Sequence, residues 1–180
     1  VVWAQPVAPD FHARFSAFSR RYLYVIHNLP VRSGLFPHQL AWFYKPLDVE
    51  RMKLGALHLI GEHDFTSYRT VHCQAHSPVR TVEHLDVFRL GDKVFIDIKA
   101  NAFLHHMVRN IAGVLMSIGC GDANPSWSKE VLDHKNRCQG GITAPAQGLY
   151  LVQVGYPKEF ELPNGEAVLP FATQIGRAHV

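Results

Sequence analysis

Cysteine is scarce in this sequence and carries no pattern: Cys73, Cys120 and Cys138 are odd in number, widely spaced and without a CxxC pair. That argues against a disulfide framework and reads as reduced thiols in a cytosolic protein. No HExxH motif accompanies the 12 histidines, and the adjacent His105 and His106 would diverge on a helix, so no metal site is expected. No apolar run reaches membrane-spanning length, and no stretch has the pattern of a signal peptide. Internal repeats and low-complexity blocks are missing too. Charge is modest, at 18% of residues with a net of +3, which permits a nucleic-acid partner without requiring one. What the 180 residues do have is 47% hydrophobic content, enough for the core of one domain and too much for a disordered chain.

The hydrophobic residues are patterned. "RRYLYVIHN" alternates Tyr22, Tyr24 and Ile26 against Leu23 and Val25, a strand with aromatics on one face. Residues 29–46 are broken by Pro and Gly and read as a loop. Asp48 is placed to cap a helix running to about Ile60, with Gly61 after it. The polar stretch 62–80 reads as a long connection, and Phe65 within it could belong to the core or face a partner. Residues 81–99 form a hairpin pattern turning at Gly91-Asp92-Lys93. A helix is expected over 102–119, and Pro125 opens a second, short one reaching Arg137. Residues 148–157 make a last strand, and the chain from Lys158 is a peripheral tail. Strands and helices mix without a βαβ rhythm. The class is α+β: a mostly antiparallel sheet with helices packed mainly on one side.

The most informative run is "IDIKANAFLHHMVRNIAGVLMSIG", residues 96–119. Its first part alternates as a strand; from Leu104 the period is helical, with Asn101 or a neighbour at the joint as N-cap. Leu104, Met107, Val108, Ile111, Leu115 and Ile118 share one face. His105, His106, Arg109, Asn110, Gly113 and Ser117 fall on the other half, Arg109 one turn beyond His105. Two readings stay open: a solvated helix face, or guanidinium and imidazoles aimed at a phosphate or buried carboxylate. Basic residues cluster here with Lys99 and, earlier, at Arg14, Arg20 and Arg21.

The ends suggest a piece of a longer product. The chain opens on Val1-Val2-Trp3 without methionine and closes on "IGRAHV", so residues 175–180 are suspected to be artefactual.

"DFHARFSAFSRRYLYVI", "DFTSYR", "IKANAFLHHMVRNIAGVLMSIG" and "AQGLYLVQVGYP", in that order and spacing, together resemble the C-terminal domain of tRNA pseudouridine synthases of the TruA type. The resemblance covers about residues 10–157, so residues 1–157 are read as that domain. It implies a pseudouridine synthase fold. It also implies an isomerase converting uridine to pseudouridine in the anticodon stem-loop of tRNA, at positions 38–40 in the family's usage. Neither a metal nor an organic cofactor is implied. The expected partners are tRNA and a second copy in a homodimer, and the expected location is cytoplasmic, with no membrane contact.

The family's catalytic residue is an aspartate in an Arg-Thr-Asp segment of the N-terminal domain. No such segment occurs in these 180 residues, and "YRTVH" at 68–72 only echoes it. The resemblance carries Arg109 over as the arginine that pairs with that aspartate, Tyr22 as the active-site tyrosine that stacks on uracil, and Leu149 as a residue lining the base pocket. Near such a cleft, Lys99, His105, His106, Arg14, Arg20 and Arg21 would meet RNA phosphates. Two other readings remain: a non-catalytic RNA-binding α+β module that keeps the cleft without the chemistry, and a plain interaction domain with a solvated helix face.

Overall fold

Alternating aromatic and aliphatic residues from Tyr22 onward help form β1 (Ser19–His27), an interior strand of a six-stranded sheet. The computed structural model describes residues 3–34, 37–71 and 73–163. The other strands are β2 (Ala41–Trp42), β3 (Gly61–Asp64), β4 (Val79–Leu90), β5 (Lys93–Ala100) and β6 (Leu149–Gly155); the helices are α1 (Val49–Leu57), α2 (Met107–Gly119) and α3 (Trp127–His134). The strand order is β2-β1-β5-β4-β3, with β6 also on β1. One edge of β1 is therefore shared, β6 pairing with its first part and β2 with its last two residues. Among the described residues only the β1–β2 pairing is parallel. The expected α+β class with a mostly antiparallel sheet holds.

Strand alternation gives the sheet two unlike faces. Tyr24, Ile26, Val87, Val94, Ile96 and Ile98 point one way into the main core, beneath Met107, Ile111 and Leu115 of α2. Each such buried side chain contributes roughly 1.5–3 kcal/mol of transfer free energy. Leu23, Val25, Leu40 and Phe95 form a thinner second cluster on the other face, with Phe88 stacked on Phe95 at 5.0 Å. Phe65 belongs to the main core, against Tyr68.

Several boundaries differ from the sequence pattern, each for a local reason. Asp48 does cap α1, its Oδ1 accepting from Arg51 N at 3.1 Å, but the helix ends at Leu57 and Gly61 opens β3. The 29–46 stretch contains the short β2. The β4–β5 hairpin is longer than expected and turns at Gly91, whose φ of +57° suits glycine. Residues 102–106 are not helical. Asn101 Oδ1 is taken by the amides of Thr81 and Ala102, and α2 starts only after His106, a left-handed residue (φ +63°) with no side-chain cap. Pro125 precedes α3 by two residues, and Arg137 lies beyond it in a 3-10 turn with Cys138 and Gln139. Of the tail from Lys158, only the part to Pro163 is described. Val1, Val2, His72 of the "YRTVH" echo and the suspected artefact at 175–180 lie outside the described residues.

Candidate functional site

Tyr22 and Tyr24 leave β1 on the same, helix-covered side of the sheet and meet different surroundings. Tyr24 is fully buried and its hydroxyl donates to Pro145 O at 2.8 Å. Tyr22, two residues earlier, lines a cleft of about 920 Å³ together with Arg14, Phe15, Arg20, Arg80, Phe103 and His105. Its ring meets Phe103 edge-on at 5.1 Å. Burial pushes the Tyr22 phenol above its ordinary range, with the charge of Arg20 opposing. At neutral pH it is therefore a hydrogen-bond donor.

Arg109 sits in the first turn of α2. Its Nε donates to Ala144 O at 2.7 Å, and its own carbonyl accepts from Ala144 N at 3.1 Å. Among the described residues neither Nη has a hydrogen-bond partner or an acid beside it. The guanidinium is anchored by one edge while its two-pronged edge stays open. Leu149, at the start of β6, packs against the main core and lies cross-strand from Tyr24. Arg109 and Leu149 are outside the lining of the Tyr22 cleft.

The α2 face opposite the sheet is not the solvated surface its polar residues suggested. Asn110 is 2% exposed and Gly113 is buried, because residues 140–147 cross this face as a strap. His105 is exposed and lines the cleft, while His106 is partly covered. Their rings lie 4.0 Å apart. Burial, reinforced by His105, Arg109 and Arg137, pushes the His106 imidazolium down, so this ring is a weaker cation at neutral pH than the sequence implied.

The arginines and Lys99 separate by face. Arg20 braces the cleft floor, donating to Ala17 O at 2.9 Å, to Asn101 O at 3.0 Å and to Arg14 O. Arg14 lies 5.6 Å over the ring of Phe15, which is 75% exposed. Arg21 and Lys99 are cross-strand neighbours pointing away from Tyr22. Arg21 grips Asp97 with Nε at 2.8 Å and Nη2 at 2.6 Å, and Lys99 pairs with Glu83 at 2.7 Å. The structure thus brings Tyr22, His105, Arg14 and Arg20 together and leaves Arg21 and Lys99 on the far face. No group of three potential metal ligands occurs among the described residues. Nor is any described helix long and apolar enough to cross a membrane.

Three neighbours of Tyr22 were not singled out by the sequence pattern. Phe103 lay hidden in an apparent helix. Arg80 sits at a strand start and carries no motif. Leu151, 48% exposed and cross-strand from Tyr22, was legible from the same alternation that marks Leu149.

A family model described as tRNA pseudouridine synthase matches residues 56–157. Proteins named tRNA pseudouridine synthase A from Colwellia psychrerythraea, Nitrosococcus oceani and Pseudomonas aeruginosa are 56%, 55% and 53% identical over 164 residues, 91% of this chain. The matched part is 63%, 63% and 58% of their respective lengths, so the chain spans less than two thirds of these relatives.

Proposed function

The chain belongs to the tRNA pseudouridine synthase family, and from that premise we propose that the protein isomerises uridine to pseudouridine in the anticodon stem-loop of tRNA. Residues 1–157 act as the C-terminal domain of such an enzyme. The observation that carries this reading is the open edge of Arg109, anchored through Nε on Ala144 O and unpaired at both Nη among the described residues. A carboxylate docked there is held two-pronged and kept ionised. These 180 residues contain no Arg-Thr-Asp segment, so that carboxylate comes from elsewhere in the full-length protein.

The chemistry balances as an isomerisation. The bond from C1′ to N1 of the uracil breaks, the base turns, C5 bonds to C1′, the C5 proton leaves and N1 regains one. Tyr22 supplies a ring for the uracil to stack on and a protonated hydroxyl for the base's polar edge. Leu149 excludes water on the strand side. Extruding the uridine costs a few kcal/mol, offset by stacking and by phosphate contacts from Arg14, Arg20, His105 and His106. We place the enzyme in the cytoplasm as a homodimer, which sedimentation of the full-length protein tests by its mass.

The deciding experiment is tritium release from 5-labelled uridine in tRNA. The full-length protein releases tritium; residues 1–180 alone do not. Turnover by residues 1–180 alone, or none by the full-length protein, would sink the proposal. Salt-sensitive tRNA binding by the full-length protein without any tritium release would instead establish a non-catalytic RNA-binding module.

A further inference from the structure

We propose that Asn110, Thr143 and Arg137 form a positioning unit that fixes the 140–147 strap on α2 and thereby aims the guanidinium of Arg109. The inference rests on the reading of Arg109 as a carboxylate partner.

Arg109 is tied to the strap twice, through Nε to Ala144 O at 2.7 Å and through its carbonyl to Ala144 N at 3.1 Å. Where Ala144 sits therefore decides where the open edge points. Ala144 has only a methyl group and cannot fix its own carbonyl's direction by a polar contact. The polar fixing happens one residue earlier: Thr143 Oγ1 donates to Asn110 Oδ1 at 2.6 Å. Arg137 Nη2 donates to the same two oxygens, at 2.9 Å to Thr143 and 3.2 Å to Asn110, while its Nη1 holds Gly141 O at 3.0 Å.

Asn110 cannot turn its amide over without loss. Its Nδ2 donates to Tyr68 O at 2.7 Å, so Oδ1 must face Thr143 and Arg137. The strap also lies directly on the helix backbone. A Cβ on Gly113 would stand 1.8 Å from Ile142 O, an overlap no side chain can relieve. Beyond Ala144, the Tyr24 hydroxyl secures Pro145 O at 2.8 Å. The strap is thus held on both sides of the residue that clamps Arg109.

Apolar side chains of similar volume would pack a strap against a helix without burying an amide and half-burying a guanidinium. What the polar unit adds is direction, since each hydrogen bond has an angular optimum. Like Arg109, Arg137 has no ion pair among the described residues. Two unneutralised guanidiniums beside the start of α2 fit a place that receives an anionic group.

The test uses the full-length protein, with single-turnover pseudouridine formation, KM, tRNA affinity and Tm. Thr143→Val removes the hydroxyl at nearly constant volume. It lowers kcat about tenfold to a hundredfold, the effect of a slightly misplaced catalytic group, with KM and tRNA affinity unchanged within about twofold. Thr143→Ser restores the rate. In an Arg109→Lys background, Thr143→Val adds less than about twofold, because its effect passes through Arg109. A folded Thr143→Val protein with wild-type kcat overturns the proposal, as does full additivity with Arg109→Lys. Should Thr143→Val not fold, Arg137→Lys, which keeps charge and loses the fork, carries the same comparison. Failure is assignable: an inactive wild-type protein refutes the proposed function, whereas an active one indifferent to Thr143→Val refutes only the positioning unit.

Discussion

The two faces of the sheet use cations in opposite ways. On the face away from the helices, Arg21 is gripped by Asp97 and Lys99 pairs with Glu83. On the helix side, Arg109 is anchored to a neutral carbonyl and presents its remaining donors to no acid among the described residues. A paired cation has already spent its electrostatic capacity within the fold. One held rigidly but left unneutralised is preorganised for a charge that arrives later. On the proposed function one face is scaffold and the other is site, and single substitutions on each side can break that contrast.

The largest expected effect is at Tyr22. Tyr22→Phe in the full-length protein should cut single-turnover rate by about 10²–10⁴-fold, the usual worth of a positioned proton donor, with tRNA affinity kept because the ring remains. Tyr22→Leu should lose affinity as well. Tyr24→Phe should cost less than about tenfold in turnover, through the one strap bond it loses to Pro145 O, and about 0.5–1.5 kcal/mol of stability. Catalytic loss at Tyr24→Phe with none at Tyr22→Phe would move the site two residues along β1.

Arg109 follows. Arg109→Ala should cost about 10²–10³-fold in turnover, as removal of one preorganised donor does elsewhere. Arg109→Lys should fall between it and wild type, since lysine keeps the charge and loses the two-pronged geometry. Both should bind tRNA nearly as well as wild type, as a filter-binding titration would show. Wild-type turnover by Arg109→Ala would remove the basis for calling the helix side the site.

On the scaffold face the expected loss moves from activity to stability. Asp97 is 4% exposed, and Arg21→Leu leaves its carboxylate without the guanidinium and, among the described residues, with only the His84 ring 3.9 Å away. A buried polar group left unsatisfied costs about 1–3 kcal/mol, so denaturant melts should shift while turnover per folded molecule holds. A catalytic defect without a stability defect would mean that Arg21 reaches the substrate after all.

Much of this contrast was legible in the sequence. Alternation along "RRYLYVIHN" put Tyr22 and Tyr24 together, and strand period alone puts Arg21 on the side opposite them. The Asp48 cap and the hairpin were readable from local chemistry. The late start of α2 was not. Ala102, Phe103 and Leu104 suit a helix, but Asn101 is held by β4, twenty residues back. The burial of Asn110 was illegible for a similar reason. Helical period placed it with the polar half, and what covers it is a strap some thirty residues downstream, held by Arg137 and Thr143. Contacts of that separation leave no period in the sequence.

The smallest expected effect, at Lys99, is the finest test of the two-face argument. Its side chain and that of Glu83 are each more than a third exposed, so the pair is solvent-screened and worth about 0–1 kcal/mol. Lys99→Ala should therefore leave Tm and turnover almost unchanged. The informative quantity is the salt dependence of tRNA binding. Each phosphate neutralised releases condensed counterion, and its loss flattens the log–log slope by about 0.7–0.9. If Lys99 serves only the scaffold face, the slope of Lys99→Ala matches wild type, whereas Arg14→Ala at the cleft flattens it. A flattened slope at Lys99→Ala, with stability intact, would show that the RNA wraps past the edge of the sheet and that an ion pair within the fold can be exchanged for one with phosphate.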